Sequence, residues 1–353
     1  KDQSSPYQSK FKIHYRLYES INSKIILDSA SLQVVDINPS KKHKIIFGSV
    51  KIPYTAGSSI IKLTTTDQQR NQHHKTMLSI EKNNLSSHQN FKVVQNGVQM
   101  TSPYVTTSDS IEVRSTRNSG GECIVQWFAK DFGIAKPPFA SVSRETYDFE
   151  ANDYLKLNFD DEGHGHLLLP ERGFVLIQRD SADQDGMCLF RFDKNYPEIF
   201  NAEGLAKPLR YISSNDEYNA MIESDNQKLA VEQYWIDKCK TKDRARELML
   251  EYYTRVNDAN KYFTSHLEGW KTDRGMISII YGKPGSIEKR SDFEIWRYGA
   301  GPDYQSPSLI FTFYKQENPF SENDYRLRRD FAYKPGWYRA LDAWRSGRVY
   351  KAQ

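Results

Sequence analysis

The sequence predicts a multidomain α+β protein. We expect an N-terminal antiparallel β-sandwich of immunoglobulin-like type, a second β-rich domain, and a C-terminal domain that joins a helical hairpin to an antiparallel β-meander. Apolar residues alternate with polar ones, or form short bursts between turns, over about the first 200 residues, which is typical of strands. From about 214 to 264 they recur every three or four positions, which is the period of an amphipathic helix.

The first predicted domain covers residues 10–115 and follows a polar leader at 1–9. Its clearest strand places apolar residues at every second position, namely at Phe11, Ile13, Tyr15 and Leu17. Further apolar bursts are separated by polar or Gly/Pro-bearing turns, and short strands at this spacing favour a sandwich. The domain is predicted to end where the burst at 111–114 gives way to a Gly-rich stretch.

The second predicted domain covers residues 116–206 and is again rich in strands. Its apolar bursts lie at 123–128, 154–159, 167–169, 174–177 and 187–190. Each burst is three to six residues long, which suits strands better than helices.

The third predicted domain covers residues 207–353. Ser214 or Asn215 can cap its first helix, and a helical stripe follows at Ala245, Leu248, Met249, Tyr252, Tyr253, Val256, Ala259, Asn260 and Phe263. The strands of the predicted meander lie at about 276–281, 293–298 and 308–314. The tail that holds Trp337 and Trp344 is predicted as a short helix with an extended end.

Composition sets limits on the class of protein. Of the 353 residues, 38% are hydrophobic and 27% are charged, which is ordinary for a folded protein and too apolar for a disordered one. The 49 basic and 45 acidic residues are interspersed along the chain, so we expect no nucleic acid as partner. Cys123, Cys188 and Cys239 are too far apart for a CxxC metal motif, and no apolar run reaches the length of a membrane span.

The segment from Gly269 to Gly275, called the motif segment below, has the sequence GWKTDRG and is the most informative part of the chain. We expect its two glycines to sit where the backbone approaches another chain segment closely or has a positive φ. Thr272 and Asp273 are expected to accept hydrogen bonds from backbone N–H groups two or three residues on, which would fix a turn. Trp270 is predicted to be an apolar wedge.

Three positions after the motif segment complete the prediction. Arg274 is expected to pair with Glu294, because a guanidinium matches a carboxylate across a meander. Gly282 and Pro284 are read as a tight turn after the first strand of the meander. All these roles are structural. An active site built on Asp273 and Arg274 is the alternative, with His266 as the one histidine close by in sequence.

The motif segment and the stretch 293–298, which contains Trp296, resemble the GWxTD domain, a family found mostly in predicted exported lipoproteins of Bacteroidota. Tyr211, Trp235 and the pair Ala259–Asn260 also match positions of that family. The resemblance implies an α+β domain over 207–353 and names no reaction. It also implies that Lys1 follows a removed signal, with the residue before it a lipidated cysteine.

The sequence offers one candidate zinc or copper site and one candidate calcium site. His164 and His166, next to Asp160, Asp161 and Glu162, could hold zinc or copper, but a third and fourth ligand are not evident, and a solvated hairpin loop explains them equally well. The acidic run from Asp180 lacks the final glutamate of a calcium loop, since that position is Arg191. We therefore expect neither a metal nor a cofactor.

Three functions follow as hypotheses. The first is a non-enzymatic accessory subunit, a lipoprotein on the periplasmic or surface side of the outer membrane, whose partners are proteins of an envelope complex such as a secretion translocon or a barrel-assembly machine. The second is a glycan- or peptidoglycan-binding module, because aromatic residues make up 13% of the chain. The third is a hydrolase using carboxylates or the His164/His166 loop, although GxSxG, GxxxxGK[ST] and HExxH are missing from the sequence.

Overall fold

In a computed structural model the chain divides into two compact units, Lys1–Gln89 and Asn90–Gln353. The structure describes residues 8–37, 48–53, 57–81, 83–106, 110–115, 120–143, 146–170, 172–183, 185–299 and 309–351. The predicted leader at 1–9 lies mostly outside these residues. The mixed α+β, multidomain fold class that the sequence predicts is confirmed.

The first unit is built on one antiparallel sheet. Its strands are β1 (Gln8–Tyr18), β2 (Ile26–Ile37), β3 (Ser58–Asp67) and β4 (Gln72–Glu81), in the order β2-β1-β3-β4. The alternation predicted from the sequence is real, because Tyr15 and Leu17 of β1 pack with Ile61 of β3 in a small core on one face. The polar residues of β1 lie on the other face.

The second unit begins with a β-sandwich. Its strands are β5 (Phe91–Gln95), β6 (Val98–Gln99), β7 (Ile111–Ser115), β8 (Glu122–Phe128), β9 (Asp153–Asn158), β10 (His164–Leu167), β11 (Gly173–Gln178) and β12 (Met187–Arg191). They form two sheets, ordered β10-β7-β5-β6 and β12-β11-β8-β9. Apolar residues of both sheets, among them Val113, Val125 and Val175, share one buried core.

The sandwich therefore contains strands from both of the predicted β-domains. The boundary expected at 115 falls between β7 and β8, and β7 pairs with β10 across it. The pattern of a strand in sequence shows which of its faces is apolar, but it does not show with which distant strand it pairs. The division of the chain observed here lies instead between Gln89 and Asn90.

The rest of the second unit is helical and then β-rich. Its helices are α1 (Ala202–Ala206), α2 (Asn215–Ile222), α3 (Gln227–Cys239), α4 (Lys242–Phe263), α5 (Asp273–Tyr281) and α6 (Lys334–Arg345). The sheet β13-β14-β15-β16 has the strands β13 (Ser286–Lys289), β14 (Phe293–Tyr298), β15 (Leu309–Lys315) and β16 (Tyr325–Leu327). The helical stretch at 214–264, its cap at Ser214 and the helix in the tail are confirmed.

The strand predicted at 276–281 is wrong, because these residues belong to α5. Every residue of α5 is buried, and over 276–281 its sequence is an almost continuous apolar run, so no exposed polar face marks a helical period there. A short run rich in Ile fits a buried strand equally well in sequence. The meander instead begins at β13, and the turn that holds Gly282 and Pro284 leads from a helix into a strand.

An aromatic cluster joins the sandwich to the α+β part within the second unit. Phe320, in the loop between β15 and β16, lies 5.3 Å from Phe128, 5.4 Å from Phe149 and 5.0 Å from Phe174, measured between ring centroids. Those three rings belong to the sandwich or to the segment between β8 and β9, and such ring contacts stabilise beyond the area they bury. Among the helices described, none is long and apolar enough to span a lipid bilayer.

Replacing Phe320 by alanine should loosen this join. The side chain is 5% exposed, so truncation leaves a cavity among the remaining rings, and we expect the free energy of unfolding to fall by about 3–5 kcal/mol. Urea denaturation followed by fluorescence measures the change. Phe331→Ala is the matched control, since Phe331 is 71% exposed and its loss should matter little. Equal effects of the two variants would contradict the role given to Phe320.

Candidate functional site

The motif segment forms the start of α5. Gly269–Lys271 is a single 3-10 turn, and Thr272 caps the helix that follows. The Thr272 hydroxyl accepts a hydrogen bond from the Gly275 N–H at 3.0 Å, as expected for a side chain that fixes a turn. The same hydroxyl donates to the Gly269 carbonyl at 2.8 Å, so the 3-10 turn and the helix are held together by one side chain.

Both glycines of the motif segment lie where the backbone comes very close to another part of the chain. A Cβ on Gly269 would be 2.0 Å from the carbonyl oxygen of Ala259, in α4, and one on Gly275 would be 1.9 Å from the carbonyl oxygen of Gly269. These distances leave no room for a side chain, and the atoms in the way are backbone atoms that cannot rotate aside. The close approach predicted for both positions is confirmed, and neither needs a positive φ.

Trp270 packs into the core between α4 and the start of the helical region. Its ring is 6% exposed and lies edge-on to Tyr211, whose hydroxyl donates to the Trp270 carbonyl at 3.0 Å. The Trp270 N–H donates to the side-chain oxygen of Asn260 at 3.0 Å. The prediction that Trp270 fills part of the core is confirmed. Asn260, a polar residue on the apolar stripe of α4, binds the motif segment through its side chain.

Asp273 pairs with an arginine far away in sequence. Its carboxylate receives two hydrogen bonds from Arg329, at 2.9 and 2.5 Å, and one from the Leu327 N–H at 2.8 Å. The local turn predicted for Asp273 is therefore wrong, because the first turn of α5 aims this side chain away from its own backbone and towards the end of β16. A fork-shaped guanidinium on a carboxylate is a strong pair when both are shielded from water.

Arg274 points in another direction and binds the meander. Its guanidinium lies 3.4 Å from the Glu294 carboxylate on β14, so the predicted partner is confirmed. The other end donates to the Asn323 side chain at 2.6 Å and to the Asn323 carbonyl at 2.8 Å. Its plane also lies 4.1 Å from the centre of the Tyr325 ring. Arg274 is 3% exposed, and each of these contacts compensates for its removal from water.

Glu294 and Trp296 complete this side of the site. The indole N–H of Trp296 donates to the second oxygen of the Glu294 carboxylate at 3.0 Å, and the Trp296 ring is 1% exposed in the core under β14. Lys289 on β13 lies 3.4 Å from the same carboxylate. Glu294 is therefore shared by two cations and an indole, which explains how a carboxylate is tolerated at 3% exposure.

The far end of α5 is closed by Gly282. Its φ of +82° favours glycine, and its carbonyl accepts a hydrogen bond from the Tyr298 hydroxyl at 2.9 Å. The Arg255 guanidinium, from α4, donates to the Ile279 carbonyl at 3.1 Å and so satisfies one of the last carbonyls of the helix. Pro284 is half-buried in the turn into β13.

Lys271 connects the motif segment to the sandwich, a role that the sequence did not suggest. Its ammonium group is buried and pairs with Glu268 at 2.9 Å and with Asp131 at 2.6 Å. Asp131 lies in the segment between β8 and β9, and Ala135 of that segment donates its N–H to the Lys271 carbonyl at 2.8 Å. The Arg329 guanidinium reaches the same segment through the Lys136 carbonyl at 3.1 Å.

His266 lies in the aromatic cluster rather than in an open site. Its imidazole stands edge-on to Phe132 and Tyr147, and its Nδ1 is 2.9 Å from the side-chain amide of Asn318. The same amide donates to Asp324 at 2.8 Å, and the Tyr147 hydroxyl donates to that carboxylate at 2.6 Å. Burial lowers the pKa of His266 to about 4, against the opposing effect of Asp324, so the ring is neutral at physiological pH.

His164 and His166 lie on the outward face of β10, as the alternation of a strand requires. His164 Nδ1 is 3.4 Å from the Glu112 carboxylate, which is also bound by both nitrogen arms of Arg114 at 2.9 Å. The Arg114 guanidinium lowers the pKa of the Glu112 carboxyl. Across the residues that the structure describes, no three His, Cys, Asp or Glu side chains meet in a way that could hold a metal ion.

The acidic residues next to these histidines shape the hairpin. Asp160 accepts hydrogen bonds from the N–H groups of Glu162 at 3.0 Å and His164 at 2.8 Å, as side chains that stabilise turns do.

A pocket of about 310 Å³ lies next to this hairpin, on the same outward face. It is lined by Lys92, Val94, Gly97, Gln99, Arg114, Ser115, Glu162 and His164. Its lining is of mixed charge.

Three functional positions were missed by sequence reasoning. Arg329 lies more than 50 residues after Asp273, and Asp324 more than 50 residues after His266, and no local pattern connects either pair. Lys271 has one local signal, because Glu268 precedes it by three residues, the spacing at which side chains meet on a helical turn. The structure brings Thr272, Asp273, Arg274, Glu294 and Trp296 together around the first turn of α5, and leaves His164 and His166 outside this group.

Comparison with known proteins gives one finding. A family model described as the GWxTD domain matches residues 173–346, about half of the chain. The match runs from β11 to just past α6, so it includes part of the sandwich, the motif segment and the meander. No curated protein matches the chain significantly.

Gly275→Ala tests the packing of the motif segment. The added methyl group would overlap the Gly269 carbonyl at 1.9 Å, so we expect a loss of at least about 4 kcal/mol in the free energy of unfolding, or no folded protein. Gly285→Ala is the matched control, because its Cβ would be 3.5 Å from the nearest atom, and we expect little change there. Circular dichroism during thermal unfolding distinguishes them. A G275A variant as stable as G285A would refute the packing argument.

The neutral, buried His266 predicts a loss of stability in acid. Below pH about 6.5 the unfolded chain takes up a proton on this ring, and the folded chain does so only near pH 4, so acid favours the unfolded state. Between these two pH values the loss due to His266 should reach about 3 kcal/mol. Urea unfolding of the wild type and of His266→Gln across this pH range measures this loss. It is the difference between the two proteins in the slope of unfolding free energy against pH. Parallel pH profiles would show that the ring titrates normally.

Proposed function

Since this chain carries a GWxTD domain and belongs to that family, we propose that it is a non-enzymatic accessory subunit of a multiprotein complex of the outer membrane. A protein-secretion translocon and a barrel-assembly machine are examples of such a complex. The subunit would act by holding partner proteins in place, through surfaces that the motif segment supports from within.

The observation that carries this proposal is that the charged side chains of the motif segment pair with other residues of the same protein. Lys271, Asp273 and Arg274 are each paired inside the protein, with Asp131, Arg329 and Glu294 respectively. Buried, paired charges of this kind fix geometry, and their removal from water would keep a substrate away. They favour a structural role for the most distinctive residues of the chain.

The rigidity that these pairs provide suits a docking subunit. Phe320 fills the aromatic cluster of the sandwich, and Lys271 and Arg329 bind the segment between β8 and β9. The sandwich and the α+β part are thus connected by apolar, ionic and backbone contacts at once. Partners bound to either part would be held at a fixed distance and angle, which is what an accessory subunit of a large assembly has to provide.

We further propose that the protein is a lipoprotein on the periplasmic or surface side of the outer membrane. A lipid on a cysteine directly before Lys1 would be the anchor. Support comes from the family resemblance.

A glycan- or peptidoglycan-binding module is the second candidate. Tyr314 on β15 is 43% exposed and lies 6.1 Å from the ring of Phe293 on β14, with Arg326 opposite it in the ladder. An aromatic pair beside hydrogen-bonding side chains on one sheet face is the kind of surface on which a sugar ring can stack. This observation concerns one pair of rings, so the accessory subunit remains the leading proposal.

The test is capture of partners from the native membrane. The tagged full-length protein is extracted with mild detergent after brief cross-linking, and the proteins that co-purify are identified by mass spectrometry. The G275A and G285A variants serve as the matched pair. We expect the same set of envelope proteins with the wild type and G285A, and loss of that set with G275A, because capture should depend on the folded GWxTD domain.

Two results would contradict the proposal. Recovery of the wild-type protein as a lone monomer after cross-linking would remove the case for an accessory subunit. Sedimentation with purified peptidoglycan that is lost in Tyr314→Ala, together with the absence of protein partners, would favour the glycan-binding candidate instead. Fractionation with outer-membrane markers tests the proposed location independently of either result.

A further inference from the structure

The positive charge of this protein is concentrated in its first unit. Residues 1–89 contain thirteen Lys or Arg and six Asp or Glu, a net charge of +7, whereas the whole chain has a net charge of +4. The remaining residues therefore carry −3. The basic residues are scattered along the sequence, so only their positions in the sheet show whether they form a surface.

The order and register of the sheet bring five cations onto one face. The polar positions of β1, β3 and β4 point away from the small core of Tyr15, Leu17 and Ile61. We call this surface the cationic face, and its charged members are Lys10, Lys12, Arg16, Lys62 and Lys75, with His14 and His73 among them. By register, Asp28 and Asp67 belong to the opposite face. The described carboxylate on this face is Glu81, at the end of β4.

The cations of this face are not neutralised within the described part of the chain. Arg16 lies directly opposite Lys62 in the ladder, an arrangement of like charges that costs stability. Arg16 Nε donates to His14 at 3.0 Å, and Lys62 Nζ lies 4.5 Å from the centre of the Tyr18 ring. Neither contact brings in a negative charge. The described residues offer no carboxylate within ion-pair distance of any of the five cations.

The cationic face is open to solvent. Lys12, Arg16 and Lys75 are exposed, and Lys10 and Lys62 are half-exposed. Adjacent strands of a sheet lie about 4.8 Å apart, and residues on one face repeat about every 6.8 Å along a strand, so the charges form a two-dimensional array. The hydroxyl groups of Ser29, Ser31, Thr64 and Thr66 lie between them by register. Such an array matches a surface of phosphates better than a single anion.

An apolar tip lies at one end of this face. The turn from β1 to β2 and the first two residues of β2 expose four aliphatic side chains, Ile21 at 45%, Ile25 at 68%, Ile26 at 47% and Leu27 at 51%. They follow Arg16 and Tyr18 along the chain, and Lys24 stands among them. Branched aliphatic residues exposed together at a turn indicate a contact with an apolar medium or partner.

We propose that the first unit binds the surface of a bilayer rich in anionic phospholipids. The cationic face contacts the phosphate groups of the lipids, and the apolar tip enters the boundary between headgroups and acyl chains. An exposed array made mostly of lysines suits this role, since sequence recognition in nucleic acids relies on grooves, arginine forks and stacked rings. The contact is made by the side chains of the protein itself and does not require the lipid anchor of the proposed function.

Vesicle sedimentation with the non-lipidated chain tests this proposal. Vesicles of phosphatidylcholine with about one-third phosphatidylglycerol are compared with pure phosphatidylcholine. We expect binding to the anionic vesicles only, and weaker binding at higher salt. The combined variant Lys12→Gln, Arg16→Gln, Lys62→Gln and Lys75→Gln should lower the partition coefficient about a hundredfold or more. Its matched control is Lys194→Gln, Lys228→Gln, Lys242→Gln and Arg246→Gln, which removes the same charge from exposed sites of the second unit.

A second variant tests the apolar tip. The double variant Ile25→Ser with Leu27→Ser keeps every charge. We expect it to lower vesicle binding about tenfold or more, because two aliphatic side chains that enter the membrane in the wild type are lost. Circular dichroism confirms that each variant is folded. Equal binding to neutral and anionic vesicles, or equal loss in the matched control, would overturn the proposal. So would tight binding to duplex DNA that the tip variant leaves unchanged, which would identify the cationic face as a nucleic-acid surface.

Discussion

The packing of Gly275 against the Gly269 carbonyl is the constraint on which the second unit depends. It allows the Thr272 side chain to bind both the 3-10 turn and the first turn of α5. Once that turn is fixed, two adjacent residues leave the helix in different directions, Asp273 towards Arg329 and Arg274 towards Glu294. Two strands and the entry to α6 are thereby held by one turn of helix. A larger residue at 275 would disturb all of these pairs together.

Part of this site could be predicted from the sequence, and the limit has a physical cause. The close approach at the glycines, the cap by Thr272 and the Arg274–Glu294 pair follow from the chemistry of the residue types. The helix after Thr272 was not recognised, because its apolar run at 276–281 is buried and fits a strand equally well in sequence. The residue type predicts that Asp273 accepts a hydrogen bond from a nearby backbone N–H group. Only the fold places the Arg329 guanidinium within hydrogen-bond distance of its carboxylate.

The same limit applies to the fold as a whole. Strands and helices were predicted where their apolar period is clear, as in β1 and α4. The pairing of β7 with β10, which places a predicted boundary inside the sandwich, depends on contacts between distant segments. The cationic face has the same origin. Residues that alternate with apolar ones in three separate strands look unremarkable in sequence, and they become a surface only when the strands are aligned.

The burial of Lys271 limits how this protein can be recombined. Its ammonium group is closed in by the segment between β8 and β9, whose Asp131 supplies part of the compensating charge. A chimera that joined residues from 207 onward to a different N-terminal half would keep Glu268 and lose Asp131, leaving a cation against a foreign surface. The natural point of exchange is therefore not the start of the helices. It lies before β5, where the whole sandwich travels with the domain that it stabilises.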